Sequence, residues 1–391
     1  MAEKKFTFYN VDNGQAVLIS LDNDRHLMFD INQRTEVADS NDKTIDVHAS
    51  LLKTLPKLKD AKRRHISVFC LSHSHLDHCQ GIDRVFLLPA LKDQEDSDDL
   101  IQIDELWVTA GIFNSDVKGV SEKVQREAKR RLKLFKDGKD KDANQIGNML
   151  VVFGKNNDYA DLKYLPAQRN PSAGTLFNKL CGENQTDWEL FAHCPFSYLI
   201  KENGEEKRDE NNTSLIVQFT MKEKNASAKM LIGGDAGCAV WKRVNKTTKT
   251  SKNTERLLWN IFFAPHHGSY KFFTKKEHEE GRAEAKNNPD KDSMEILNRG
   301  KNTDWIICSS RPIKENNYED KDPPHIEAIV HYRAIVDDDN FVCLMEYPNE
   351  EEPDPLVLRL TDNGLQKKSY EAAVIAIGGK TTGKAQQWGS K

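Results

Sequence analysis

The chain has 391 residues and a formal net charge of −4, with 57 lysines and arginines against 61 aspartates and glutamates. No global basic field advertises a nucleic-acid partner, so such a contact must come from a local patch. An apolar content of 38% allows a large core, in one α/β domain with insertions or in several smaller domains. The seven cysteines form no C-x-x-C pair, which disfavours a zinc ribbon. No signal peptide or long apolar segment is visible, so a cytoplasmic location without membrane contact is expected.

In chain order, the first elements read as a β-meander. Lys5–Val11, Ala16–Leu21 and His26–Ile31 alternate or run apolar, and Asp12-Asn13-Gly14 and Asp22-Asn23-Asp24 turn between them. Val47, Leu51 and Leu55 recur at helical spacing over Asp46–Leu58. Ile66–Leu71 is an apolar strand, and Leu106–Thr109 another. From about 118 to 141, Val124, Ala128, Leu132 and Phe135 make one stripe, while Lys123, Arg126, Lys129, Arg130, Arg131, Lys133 and Lys136 fill the rest. That is an amphipathic basic helix, read either as a solvated face or as a phosphate-backbone contact.

Further strands are expected at Trp188–Ala192, Ser197–Lys201, Leu215–Phe219 and Lys229–Ile232. A second basic run, Lys242 to Lys252, follows a helix start. Leu258–Ala264 is an apolar strand, residues 275–303 read as a surface helix and loop, and Asp304–Cys308, Phe341–Glu346 and Leu356–Leu360 close the series. A single domain over 1–375 is expected, with insertions at about 113–150 and 270–303 and a disordered tail at 376–391.

The chemistry concentrates in His73-Ser74-His75-Leu76-Asp77-His78, directly after the strand at Ile66–Leu71. Three imidazoles and a carboxylate delivered to one point suit Zn²⁺, Mn²⁺ or Fe²⁺. Asp30, Asp235 after Gly233-Gly234, and His266-His267 after Pro265 also stand at strand ends, where α/β sheets gather ligands. Asp235 is placed to bridge two ions. His193 is read as a packed strand-end histidine or as a group that reaches the site.

Together these residues resemble the metallo-β-lactamase superfamily, and within it the hydrolase domain of ComEC-type competence proteins. The matching segments run in order: Asn10–Ala16, Asp30-Ile31-Asn32, Ser72–Gly81, Asn211–Val217, Gly234-Asp235, Pro265–Ser269 and Pro323-Pro324-His325-Ile326. In the opening segment only Val11, Gly14 and Ala16 are identical to the branch pattern. Asn211 or Asn212 stands where many members carry a third histidine, and Ala264 replaces a lysine.

The resemblance implies a four-layer αββα sandwich with two divalent ions, Zn²⁺ or Mn²⁺, at one edge. It implies His73 and His75 on one ion, Asp77, His78 and His266 on the other, and Asp235 between them. Asp30 would orient a ligand histidine, and His267 would support a ligand or contact substrate. His325 would protonate a leaving group or hold a phosphate oxygen. Asn211, Asn212, Ser214 and Ser269 would contact the substrate phosphate. The implied activity is a phosphodiesterase, foremost a nuclease acting through a metal-activated hydroxide. The alternatives are a hydrolase of a small ester, lactone, thioester or cyclic nucleotide, or a metal-binding partner in a multi-protein system such as phage defence. A protein partner or a homo-oligomer is compatible with each.

Overall fold

The computed structural model describes residues 3–34, 42–58, 63–95, 97–113, 118–155, 158–196, 200–202, 205–207, 211–315 and 320–368. Two sheets form the centre. The first has nine strands, in the order Gly364–Lys367, Leu356–Thr361, Lys5–Phe8, Val17–Ser20, His26–Phe29, His65–Cys70, Ile101–Thr109, Phe86–Leu87, with Met149–Phe153 also paired to Ile101–Thr109. The amino-terminal meander is antiparallel, and pairing turns parallel from His26–Phe29 onward. The second sheet has seven strands, in the order Leu176–Phe177, Trp188–Cys194, Ile216–Lys222, Ser227–Ile232, Ile261–Phe263, Trp305–Cys308, Phe341–Cys343. Its first half is antiparallel and its second half parallel.

The sequence dictates how these sheets stack. Successive residues of a strand point to opposite faces, so a strand that is apolar throughout must be covered on both sides. In Val17–Ser20, Val17 and Ile19 pack between the sheets with Phe6, Phe8, Phe29 and Trp107 against Leu190, Phe219, Met230 and Phe263. Leu18, Met28, Phe69 and Leu106 face the other way. There they meet Val47 and Leu51 of the helix Val47–Thr54 and the stripe Val124, Ala128, Leu132 and Phe135 of the helix Val120–Lys136. On the far side, Leu231, Phe262 and Ile306 pack on Trp241 and Val244 of the helix Cys238–Thr250 and on Ile329 and Tyr332 of the helix Ile326–Arg333. The result is helix, sheet, sheet, helix: the four-layer αββα sandwich the resemblance implies.

The basic helix and the strands named above form as expected, most with trimmed ends. The segment 275–303 is less superficial than expected. It holds two helices, His278–Asn287 and Lys291–Leu297, which bury Ala285, Ile296 and Leu297 in the outer core. The strand Met149–Phe153 and the helix Ile326–Arg333 are additions. The first is five apolar residues in a row, which periodicity cannot assign. The strand expected at 197–201 lies partly outside the described residues; Ile200–Glu202 pairs only with Glu205–Lys207. The tail at 376–391 lies wholly outside them. Among the described residues no helix is long and apolar enough to cross a membrane.

Candidate metal centre

Four chain segments end at one edge of the sandwich and carry the polar cluster. The strand His65–Cys70 leads through Leu71 and Ser72 into His73, and a single 3₁₀ turn, Leu76–His78, folds Asp77 and His78 back beside it. Asp30 follows His26–Phe29, Asp235 follows Ser227–Ile232, and the histidine pair follows Ile261–Phe263. Asp30, His266 and His267 hold left-handed backbone at φ 56°, 50° and 54°. Such conformations cost about 1–3 kcal/mol each and persist where the surroundings impose them, which is common at functional sites. Gly234 has φ 49°, and a Cβ there would come within 2.9 Å of Ser72 Oγ. Only glycine lets Asp235 approach His73 this closely.

Asp235 is the hub. Its Oδ1 lies 3.1 Å from His78 Nε2 and 3.5 Å from His267 Nε2. Its Oδ2 lies 3.8 Å from His73 Nε2 and 3.7 Å from His266 Nε2. His267 Nε2 also stands 3.0 Å from Asp77 Oδ2. Two groups of ligand atoms therefore converge: Asp77, His78, Asp235 and His267 in one, and His73, His75 and Asp235 in the other, with all atoms of each group within 4.8 Å. Asp235 belongs to both.

A layer of hydrogen bonds holds the ligands in place. Asp30 is fully buried and accepts from Ser72 N and Ser72 Oγ, both at 2.6 Å, and from His78 Nδ1 at 2.7 Å. His78 Nε2 is thereby turned toward Asp235. His267 Nδ1 donates to Ser309 O at 2.9 Å, and Ser309 Oγ donates to Gly14 O at 2.6 Å. Gln15 N donates to Asp77 O at 3.1 Å. Asp30 was expected in this role, whereas Ser72, Ser309 and the Gly14-Gln15 backbone were not. Their contribution runs through main-chain atoms or a lone hydroxyl, which leave little trace in a sequence.

The electrostatics follow from burial and opposed charge. Burial pushes the His73 imidazole well below its usual range. Burial acts the same way on His78, but the charges of Asp235, Asp30 and Asp77 outweigh it and hold its pKa well above. Burial would lift the Asp235 carboxyl; His78, His267 and His266 instead hold it well below the carboxylate range. Protons on these imidazoles and divalent cations compete for the same lone pairs.

Several expectations change. His267, not His266, is the member of the pair that joins Asp77 and His78. The left-handed turn sends His266 to the opposite oxygen of Asp235, with its Nδ1 buried and without a hydrogen bond. Ser269 is buried and caps the following turn, its hydroxyl accepting from Lys271 N at 3.3 Å. His325 packs edge-on against Tyr270, with ring centroids 4.8 Å apart. Burial, with Arg282 adding to it, pushes its pKa down to about 4. A neutral imidazole at pH 7 is a poor proton donor. His193 points away into the outer layer, bonded to Thr248 Oγ1 at 3.2 Å and Arg256 O at 2.9 Å.

Asn211 opens the short turn Asn211–Thr213, and Ser214 N donates to Asn211 O at 3.2 Å. Ser214 is buried, with no hydrogen bond to its hydroxyl, and Leu215 N donates to Ser72 O. This loop therefore abuts the His73 segment. The Asn212 side chain lies outside the described residues.

The basic helix is committed within the molecule. Lys123 pairs with Asp83, Arg126 with Glu122, Arg130 and Arg131 with Glu127, Lys133 with Asp137, and Lys136 with Asp161. Arg131 is 1% exposed and donates to the main chain of Ile103 and Met149, so it is core rather than surface. The helix presents a neutralised face.

No protein-family model matches the chain, and no curated protein matches it. Several solved structures are similar to parts of it, among them two metallo-β-lactamases. One is the metallo-β-lactamase GOB-18 from Elizabethkingia meningoseptica, at 11% identity over 67% of this chain and 74% of that one, with a TM-score of 0.27. The other is the metallo-β-lactamase SMB-1 bound to 2-mercaptoethanesulfonate, at 14% identity over 68% and 82%, with a TM-score of 0.29. Likenesses this loose add nothing to the layer order and ligand geometry already described.

Proposed function

We propose that this chain is a metal-dependent phosphodiester hydrolase of the metallo-β-lactamase type, built for two divalent cations, Zn²⁺ or Mn²⁺. The observation that carries the reading is the shared carboxylate: Asp235 turns one oxygen to each of two histidine-containing groups. The residues fit cations. Two atoms each bonded at about 2.0–2.2 Å to one ion stand at most about 4.4 Å apart. His73 Nε2 is buried, has no hydrogen bond, and sits 3.8 Å from Asp235 Oδ2, a spacing too long for a hydrogen bond and suited to an ion between them. His73, His75 and Asp235 would hold one cation, and Asp77, His78, His267 and Asp235 the other.

Such a pair supplies an activated water and a clamp for the two oxygens of an in-line displacement. The protein's own groups do the rest. Asp30 and Ser309 fix the orientation of His78 and His267, and Gly234 sets the approach of Asp235. His266, with its side chain 18% exposed at the rim, faces incoming substrate. Neutral His325 accepts or donates one hydrogen bond without changing charge. Asn211 and Ser214 stand in the loop that abuts the His73 segment.

The substrate that fits is a nucleotide-sized phosphodiester rather than a long duplex, because the cations of the basic helix other than Lys129, which bonds the neutral Gln125, already pair with carboxylates. That pairing also favours a second reading, hydrolysis of a small ester or lactone. The test is incubation of pure protein with Mn²⁺ or Zn²⁺ and bis-p-nitrophenyl phosphate, a dinucleotide, single- and double-stranded DNA, RNA and p-nitrophenyl acetate. Cleavage of the phosphodiesters is expected. Cleavage of the acetate alone selects the second reading, and inertness toward all of them rejects both.

A further inference from the structure

A cavity of about 270 Å³ is lined by residues at the end of the strand Trp188–Cys194 and of the helix Cys238–Thr250, together with Lys155 and Gly174. Its lining is chemically one-sided. It carries Arg243 and Lys155, the hydroxyls of Thr247 and Ser251, the amide of Asn253, and no carboxylate. In an acidic chain that is a contrast. Two other cavities are mixed, each with three carboxylates beside four cations: Glu189, Glu223 and Glu255 in one, Glu284, Asp290 and Asp292 in the other.

The positive groups come with aromatic faces. The Arg243 guanidinium lies 4.4 Å from the ring centre of Phe196, and Arg256 lies 5.4 Å from that of Phe191, a ring that lines the cavity. Flat cation–aromatic surfaces accept a stacked base, and the guanidinium fork matches phosphate oxygens. Thr247 and Ser251 stand four residues apart, on one face of the helix end. The volume sits just below the ~300 Å³ at which small-molecule sites begin, so it holds a single unit and not a helix.

The cavity shares no lining residue with the metal centre but is joined to it along the chain. Cys194 pairs with Ile216, and neighbouring Leu215 donates to Ser72 O. The helix that supplies Arg243 begins at Cys238, directly after the Asp235 turn.

We infer that this cavity binds a nucleoside monophosphate unit, its phosphate on Arg243 and Lys155 and its base against Phe191 and Phe196. The unit is either the far nucleotide of the phosphodiester substrate or a free mononucleotide. The first source rests on the hydrolase reading, whereas binding itself does not.

The test uses the full chain treated with chelator, so that no metal can hold the phosphate, titrated with adenosine 5′-monophosphate by calorimetry. Saturable binding is expected. Arg243→Gln should weaken it about tenfold by removing a charge-assisted hydrogen bond. Thr247→Tyr, at an exposed position that tolerates the larger side chain, should weaken it by filling the cavity. Asp235→Asn should leave it unchanged. No saturable binding at millimolar ligand, or parental affinity in both cavity variants, overturns the inference.

In the metal-loaded protein the source is then read from kinetics. If the unit belongs to the substrate, Arg243→Gln raises KM for a dinucleotide and leaves bis-p-nitrophenyl phosphate untouched. An unmoved dinucleotide KM together with lost monophosphate binding assigns the cavity to a free nucleotide. Monophosphate binding in a protein that hydrolyses nothing keeps the cavity and rejects the hydrolase.

Discussion

His78 donates its Nδ1 proton to Asp30 at 2.7 Å, which turns its Nε2 toward Asp235 Oδ1, 3.1 Å away. The carboxylate fixes both the tautomer and the ring angle, as such partners do around metal-binding histidines. Asp30→Asn keeps the shape and the oxygen that accepts from Ser72 N, but replaces by an NH₂ donor the oxygen that accepts from both Ser72 Oγ and His78 Nδ1. Metal affinity is expected to fall about 10–100-fold. An unchanged binding isotherm would show that Asp30 is needed only for packing.

The histidine pair gives a sharper test. His267→Ala should remove the metal held with Asp77 and His78, while His266→Ala should keep the metal content and lower turnover. Elemental analysis of both variants decides. Metal loss in His266→Ala with retention in His267→Ala would reverse the assignment.

The basic helix predicts an absence of effect. Lys123, Arg126, Arg130 and Lys133 all changed to Gln should leave polynucleotide affinity and its salt slope near the parent values, because the four cations already face Asp83, Glu122, Glu127 and Asp137. A flattened salt slope would show that these pairs open for nucleic acid.

Burial lowers the pKa of His193 from 6.5 to about 4. The unfolded chain therefore binds more protons than the folded chain between those values. The stabilisation is complete above pH ~6.5 and drains as pH falls toward ~4, by about 3 kcal/mol in all. His193→Gln should flatten that part of the stability profile. If denaturant unfolding at several pH values gives parallel curves for parent and variant, His193 is already charged in the fold.

The architecture was largely legible because its signals are local. Runs such as Val17–Ser20 and His65–Cys70 are apolar on both faces and force a layer on each side. The strand-end positions of Asp30, His73 and Asp235 placed them together. The turn at Pro265–Gly268 was not legible: nothing in two adjacent histidines tells which one meets Asp77, and the left-handed backbone that both adopt in the fold sends them to different oxygens. The basic helix was legible in part. Its pairs with Glu122, Glu127 and Asp137 lie three or four residues apart on one helix, whereas the partners of Lys123 and Lys136, Asp83 and Asp161, stand elsewhere in the chain and meet them only in the fold.

The most direct test of the two-cation centre is the number of Zn²⁺ or Mn²⁺ bound per chain, measured by elemental analysis after dialysis, in the parent, in His73→Ala/His75→Ala and in Asp235→Asn. Two equivalents in the parent, one fewer in the double variant and weakened binding of both in Asp235→Asn are expected. A parent that binds no metal, or an Asp235→Asn protein that holds both ions as tightly as the parent, would contradict the shared-carboxylate account.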